Sequence, residues 1–176
     1  TGLAESDLHH LVPAREAIQM ERGGNTLEEM PDDAAEIWFR LDTSRNDPPP
    51  AETRDEWTEI GYATEPREDR KGDAARALFY VYTMYGPNGT NQLDGSYFES
   101  TKATLLAWHE GDPATADEVQ RSLRVSTVQT SVSGDVQINP FVHDPTLARR
   151  AYFATPILYV RTLESFELER IETGTD

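Results

Sequence analysis

The 176-residue chain contains no cysteine, which removes disulfide frameworks, thiolate metal sites and cysteine nucleophiles from consideration. Lysine is nearly as scarce: Lys71 and Lys102 are the two present, and arginine supplies the rest of the sixteen basic residues. Set against thirty-two acidic residues, this leaves a formal charge of −16, which repels a polyanion at long range and argues against a generic basic coat for nucleic acid. The acid excess suits work in high salt, where such repulsion is screened, and a biased genome would give similar usage. No apolar run approaches membrane-spanning length, and no basic-then-apolar secretory segment opens the chain, so Thr1 reads as the start of a processed protein or of a fragment. No membrane partner is expected. Walker loops, nucleophile elbows, zinc-ligand clusters and dinucleotide fingerprints are absent. Carboxylates are too abundant to argue for glycoside hydrolysis from their presence.

What remains is enough for one folded domain. Hydrophobic residues make up 37% and charged residues 27%, with Trp38, Trp57 and Trp108 spread along the chain. Leu8 to Val12 reads as a short apolar strand or turn, followed by a helix with Pro13 at its first position and Ala14, Ala17 and Ile18 on one side. Gly23-Gly24 stops it. Asn25 to Arg70 is acidic and proline-rich and reads as a long, partly irregular insertion with two short strands, Glu36 to Arg40 and Glu56 to Tyr62. Asp73 caps an expected helix whose apolar surface runs from Ala74 to Tyr85, and Tyr97 to Trp108 forms the next one. A third helix spans Thr115 to Arg124, with a capping-box spacing at Thr115 and Glu118. Ser126 to Asp135 reads as loop, and Tyr152 to Ile171 alternates as a strand pair.

Two of the four histidines are adjacent in Asp7-Leu8-His9-His10-Leu11-Val12-Pro13, an apolar setting at a helix entrance. On a strand, neighbouring side chains face opposite ways, so one histidine at most would meet a given metal while the other packs or orients. Arg22-Gly23-Gly24-Asn25 follows. Further on come Glu65-Pro66, then Arg70-Lys71-Gly72-Asp73-Ala74-Ala75-Arg76-Ala77-Leu78-Phe79-Tyr80, Leu105-Leu106-Ala107-Trp108, Asp112-Pro113, Glu118, Arg121 and Asn139-Pro140-Phe141-Val142. In this order the segments resemble the bacterial endonuclease I family of secreted and periplasmic nucleases. Its Asp-x-His-(Asn/His)-Leu-x-Pro motif, its helix with Arg-Gly-x-x-Ala-Arg-x-x-Phe-Tyr and its closing Asn-Pro-Phe-Val are the matched features. The likeness covers roughly residues 5 to 145, outside the acidic insertion.

The resemblance implies an α+β fold, mainly helical, with a partial ββα-metal (His-Me finger) motif. Residues 1–150 would form the endonuclease I-like domain, with the acidic insertion at about 26–69, and residues 151–176 a C-terminal extension. It also implies a metal-dependent endonuclease that hydrolyses DNA, with RNA as a second substrate, at little sequence specificity. One divalent metal, usually magnesium, would be the cofactor, and the protein would be secreted or periplasmic. His10 falls where the family places its Asn or His metal ligand. His9 and His10 are thus the expected catalytic pair, with His9 orienting the motif. Arg22, Asn25, Arg70, Arg76 and Arg121 are the expected nucleic-acid contacts, since a planar guanidinium matches phosphate geometry. Structural pairing with the abundant acids is the competing role for each arginine. The family's second segment, an adjacent Glu and His before a hydrophobic-Pro turn, is missing from this sequence, where it would supply a metal ligand and the base. His109-Glu110 has the reverse order. The alternative is therefore a catalytically inactive, nuclease-derived structural or interaction subunit, partnered by self-association or by the remainder of a longer precursor.

Overall fold

A proline-bounded, acidic first turn and a broad apolar stripe build the central helix, on which much of the core packs. The structure is a computed structural model, and it describes residues 6–86, 95–133 and 137–154. Leu8 to His10 form a turn rather than a strand, and helix α1 (Glu16–Arg22) starts three residues past Pro13. None of its residues is buried, so the expected apolar side at Ala14, Ala17 and Ile18 does not join the core. Gly23 ends it at φ 51, a left-handed conformation that glycine adopts without steric cost.

The acidic stretch holds more order than its composition suggests. Four short strands, β1 (Ile37–Arg40), β2 (Thr43–Arg45), β3 (Thr58–Ile60) and β4 (Thr64–Glu65), make an antiparallel sheet in the order β2-β1-β3-β4. Ile37 faces Ile60 and Trp38 faces Glu59 across β1 and β3, while Glu59 faces Glu65 across β3 and β4. Side chains alternate between faces, so Trp38, Glu59 and Glu65 share one side of the sheet. Two 3-10 turns, Asp32–Ala34 and Ala51–Glu56, flank it. Trp38 is wholly buried, and the Arg54 guanidinium lies 5.8 Å from its ring centroid.

Helix α2 (Glu68–Tyr85) begins five residues before the expected Asp73 cap, directly after Pro66-Arg67. Glu68 and Asp69 in its first turn complement the positive end of the helix dipole. Asp73 is instead an interior residue paired to Arg70 and Arg76. Helix α3 (Gly95–Gly111) packs on α2, and Phe79, Phe98, Leu105, Leu106 and Trp108 bury their side chains between and beside them. Phe79 sits at the centre, stacked 5.5 Å from Phe141 and 5.4 Å from Tyr152, with Phe98 edge-on at 5.8 Å. Burying a ring of that size contributes about 1.5–3 kcal/mol.

Helix α4 (Ala116–Ser133) overruns its expected end at Arg124 by nine residues and takes in most of the stretch read as loop. Thr115 Oγ1 accepts from the Glu118 backbone at 3.2 Å, which is half of a capping box, and the Glu118 side chain turns away to Arg76. Two short helices close the described chain, α5 (Pro140–His143), capped by Asn139, and α6 (Leu147–Tyr152). Asn139 Oδ1 accepts from Phe141 and its Nδ2 donates to the Arg76 carbonyl, so Phe141 and Val142 anchor in the core. Tyr152 ends α6, and the rest of the expected strand pair, from residue 155 on, lies outside the described residues.

Candidate functional site

Three hydrogen bonds to one carboxylate shape the His9-His10 turn. Asp7 is 3% exposed; its Oδ2 accepts from Tyr80 at 2.6 Å and Tyr85 at 2.7 Å, and its Oδ1 accepts from the His9 backbone at 2.9 Å. Burial alone would raise the Asp7 pKa, but these donors, with His9 nearby, hold it below the usual carboxylate range. Arg121 clasps the turn from α4, its Nη2 donating to the Leu8 carbonyl at 2.8 Å and the Leu11 carbonyl at 2.5 Å. Gln129, one helical stretch on, accepts from the Leu8 backbone at 2.6 Å.

His9 is 3% exposed and packs 5.0 Å from the Tyr80 ring. Its Nε2 lies 2.7 Å from the Gln137 carbonyl, which can only accept, so that nitrogen carries the proton. His9 is thus enclosed, lining a cavity of about 50 Å³ with Arg121 and Asn139. His10 is half-buried, and its Nδ1 finds no partner among the described residues. Burial lowers its pKa more than Asp7 raises it, which favours the neutral ring, and the unpartnered Nδ1 is itself buried.

The expected nucleic-acid contacts divide in their surroundings. Arg76 is wholly buried, donating to Glu118, Asp73 and the Asp112 carbonyl, which leaves no face for a phosphate. Asn25 donates to the Gly61 carbonyl at 2.8 Å and Arg121 clasps the histidine turn, so both brace backbone. Arg70 pairs with Asp73 at 2.8 Å but keeps 57% of its side chain exposed. Arg22 is half-buried, with its Nε unpartnered. His109 and Glu110 are engaged separately, His109 Nε2 with the Pro145 carbonyl and Glu110 with Arg149.

Glu29 and Glu68 were not singled out from the sequence, and Glu65 entered only as part of the matched Glu65-Pro66 segment, yet the three carboxylates lie within 4.8 Å of one another. The Lys71 ammonium stands among them, 3.1, 2.7 and 2.5 Å from Glu29, Glu65 and Glu68. Lys71 is 4% exposed, and the three carboxylates outweigh its burial to raise its pKa. An ammonium in that position fills the place a metal would take in the triad. Trp108 Nε1 donates to Glu29 at 2.6 Å and ties the cluster to the core. Nothing in the sequence marks Glu29 or Glu68 among thirty-two acids, whereas Asp7 at the head of the histidine motif could have been found from its place there.

Comparison with known proteins joins the histidine turn to the wider chain. Over 126 residues the chain is 28% identical to the extracellular ribonuclease of Bacillus subtilis (strain 168), an alignment covering 66% of this chain and 38% of that protein. The chain thus spans well under half of the curated relative it matches. No solved structure matches. The family model for endonuclease I matches residues 2–146, which include the histidine turn, the sheet, α2, α3, α4 and the Asn139 cap, and the α+β architecture is consistent with it. This chain therefore belongs to the endonuclease I family.

Proposed function

We propose that the chain supplies one half of a metal-assisted phosphodiesterase site and acts, within the full-length protein, as an endonuclease of little sequence specificity. The observation that carries this reading is His10, a neutral imidazole with an unpartnered Nδ1 on a turn fixed by Asp7, Arg121 and Gln129. A neutral imidazole is a metal ligand, and a divalent ion such as magnesium held there would stabilise charge on the leaving oxygen. His10 belongs to no cluster of three such donors among the described residues, so the remaining ligands and the general base come from outside them. His9 keeps the turn in register through Asp7 and Gln137. Arg22 and Arg70 contact phosphates rather than base edges, which gives cleavage without sequence preference.

DNA is the first substrate, and the relative's name as an extracellular ribonuclease supports RNA as a second and export as the setting. Nicking of supercoiled plasmid and cleavage of RNA by the full-length protein, with and without magnesium, tests the reading. His10→Ala should lower the rate on the order of 10²-fold or more. Equal rates in both proteins would remove His10 from the mechanism. A second reading, a nuclease-derived subunit without activity, is favoured by the filling of the three-acid cluster by Lys71. Absence of cleavage by the full-length wild type under every divalent metal tried would select it.

A further inference from the structure

Every described lysine and arginine reaches a carboxylate of another described residue except Arg15, Arg22, Arg45, Arg121 and Arg124. These exceptions are not scattered. Arg15 and Arg22 bound α1, Arg121 and Arg124 stand on α4, and the histidine turn joins the two helices, clasped by Arg121 at the Leu8 and Leu11 carbonyls. Arg45 is on β2, and Arg15 Nη1 donates to the Leu41 carbonyl where β1 turns into β2.

The acids avoid the same stretches. Of thirty-two in the chain, none falls between Asp7 and Glu16 or between Glu118 and Asp135. On α1, Arg15, Gln19 and Arg22 follow at intervals of four and three, so they share one side over about 10 Å, while Glu16 and Glu21 fall to its flanks. On α4, Arg124 comes three residues after Arg121 and adjoins it on the helix surface. Arg124 is exposed. With a charge of −16 on the whole chain, this strip is where a polyanion meets least repulsion.

We infer that the sugar-phosphate backbone of a nucleic acid lies along this strip, with Arg15 and Arg124 as phosphate contacts beyond Arg22 and Arg70. An exposed guanidinium presents planar donors to phosphate oxygens and stays charged at every working pH. Arg121 has its Nη2 on two backbone carbonyls and holds the turn, so Arg124 is the contact that α4 offers. The strip crosses the turn that carries His10, which brings a bound strand past that residue from both sides. Contacts made to phosphate alone leave the bases unread. The inference takes its ligand from the nuclease reading and adds the face on which that ligand lies.

Binding without cleavage tests it. Fluorescence anisotropy of a short labelled DNA duplex, titrated with the full-length protein in chelator over a range of salt concentrations, gives the slope of log affinity against log salt. Each phosphate contact contributes about 0.9 to that slope for duplex and about 0.7 for a single strand. Arg124→Gln and Arg15→Gln should each flatten it by that amount, on the DNA duplex and on a labelled single-stranded RNA respectively. Arg15→Lys keeps the charge and should keep the slope, and so should Lys102→Gln, whose partner is Glu99 on α3. The melting temperature of Arg124→Gln should match that of the wild type. No binding at any salt concentration, unchanged slopes in both arginine variants, or equal flattening in Lys102→Gln would overturn the inference. Unchanged slopes in a protein whose cleavage His10→Ala abolishes would sink the strip and spare the nuclease reading. Flattened slopes in a protein that cuts nothing under any divalent metal would do the reverse.

Discussion

Arg76 grips Glu118 at two points, Nε to Oε1 at 2.7 Å and Nη2 to Oε2 at 2.6 Å, and so bridges α2 to α4 across 42 residues of sequence. The arginine is wholly buried, so removing one partner leaves the other charge stranded in the interior. Arg76→Ala should cost about 3–5 kcal/mol in urea unfolding. The double variant Arg76→Met, Glu118→Leu should recover much of that loss, because neither charge is then left unpaired. A loss under ~1 kcal/mol for Arg76→Ala would mean that the pair is solvated in solution.

Arg121 acts on the histidine turn through two backbone carbonyls that both accept from its Nη2, at the far end of a side chain longer than that of lysine. Arg121→Lys keeps the charge and loses the clasp. Stability should fall by only ~1 kcal/mol, while magnesium-dependent cleavage by the full-length protein falls as far as in Arg121→Gln. If lysine rescued activity and its salt dependence, Arg121 would be a phosphate contact, as read from the sequence.

Gly72 lies against the turn that follows α3. A Cβ placed on it would come within 1.9 Å of the Asp112 carbonyl oxygen, and its N–H already donates to Asp112 Oδ2 at 2.9 Å. Gly72→Ala should therefore destabilise by about 1–3 kcal/mol in spite of alanine's better helix propensity, measured by thermal unfolding. A stabilised variant would show that the helix and turn separate freely.

Glu59 sets a pH dependence. Burial first, then Glu65 and Asp32, push its pKa from 4.5 to about 8 in the folded chain. The folded state then binds the proton more tightly than the unfolded one, so this contribution is fully present below pH 4.5 and is lost as pH rises through about 8. With a chelator present, stability should fall by up to ~1.4 kcal/mol per pH unit within that window, and Glu59→Gln should flatten the slope. Parallel profiles for the two proteins would contradict this.

The helices that carry the core were legible because their apolar residues repeat at helical spacing, as with Ala75, Phe79 and Tyr82 on α2 or Leu105 and Trp108 on α3. Their ends were not. Asp73 has the chemistry of a cap, yet Glu68 and Asp69 start the helix and Asp73 serves Arg76 instead. In α4 the Ser- and Thr-rich run past Arg124 has weak intrinsic helicity, and burial of Val125 and Ser126 overrides it. Strands β2 and β4 span three and two residues, too few for alternation to register.

The histidine motif stood out in sequence since adjacent histidines are rare here, whereas its supports, Tyr80, Tyr85 and Gln137, come from distant positions that only the fold unites. The same holds for Glu59. One glutamate among many carries no signal until register sets it against Glu65.

The shared Oδ2 of Asp7 also makes Tyr80 and Tyr85 built-in chromophores for the turn they secure. Burial and that carboxylate push both phenols above their ordinary ionisation range, so neither contributes phenolate absorbance in moderate alkali. Ultraviolet difference spectra at rising alkalinity should remain dark for this pair until the segment bearing His10 peels away. Detachment could then be timed optically without attaching a dye.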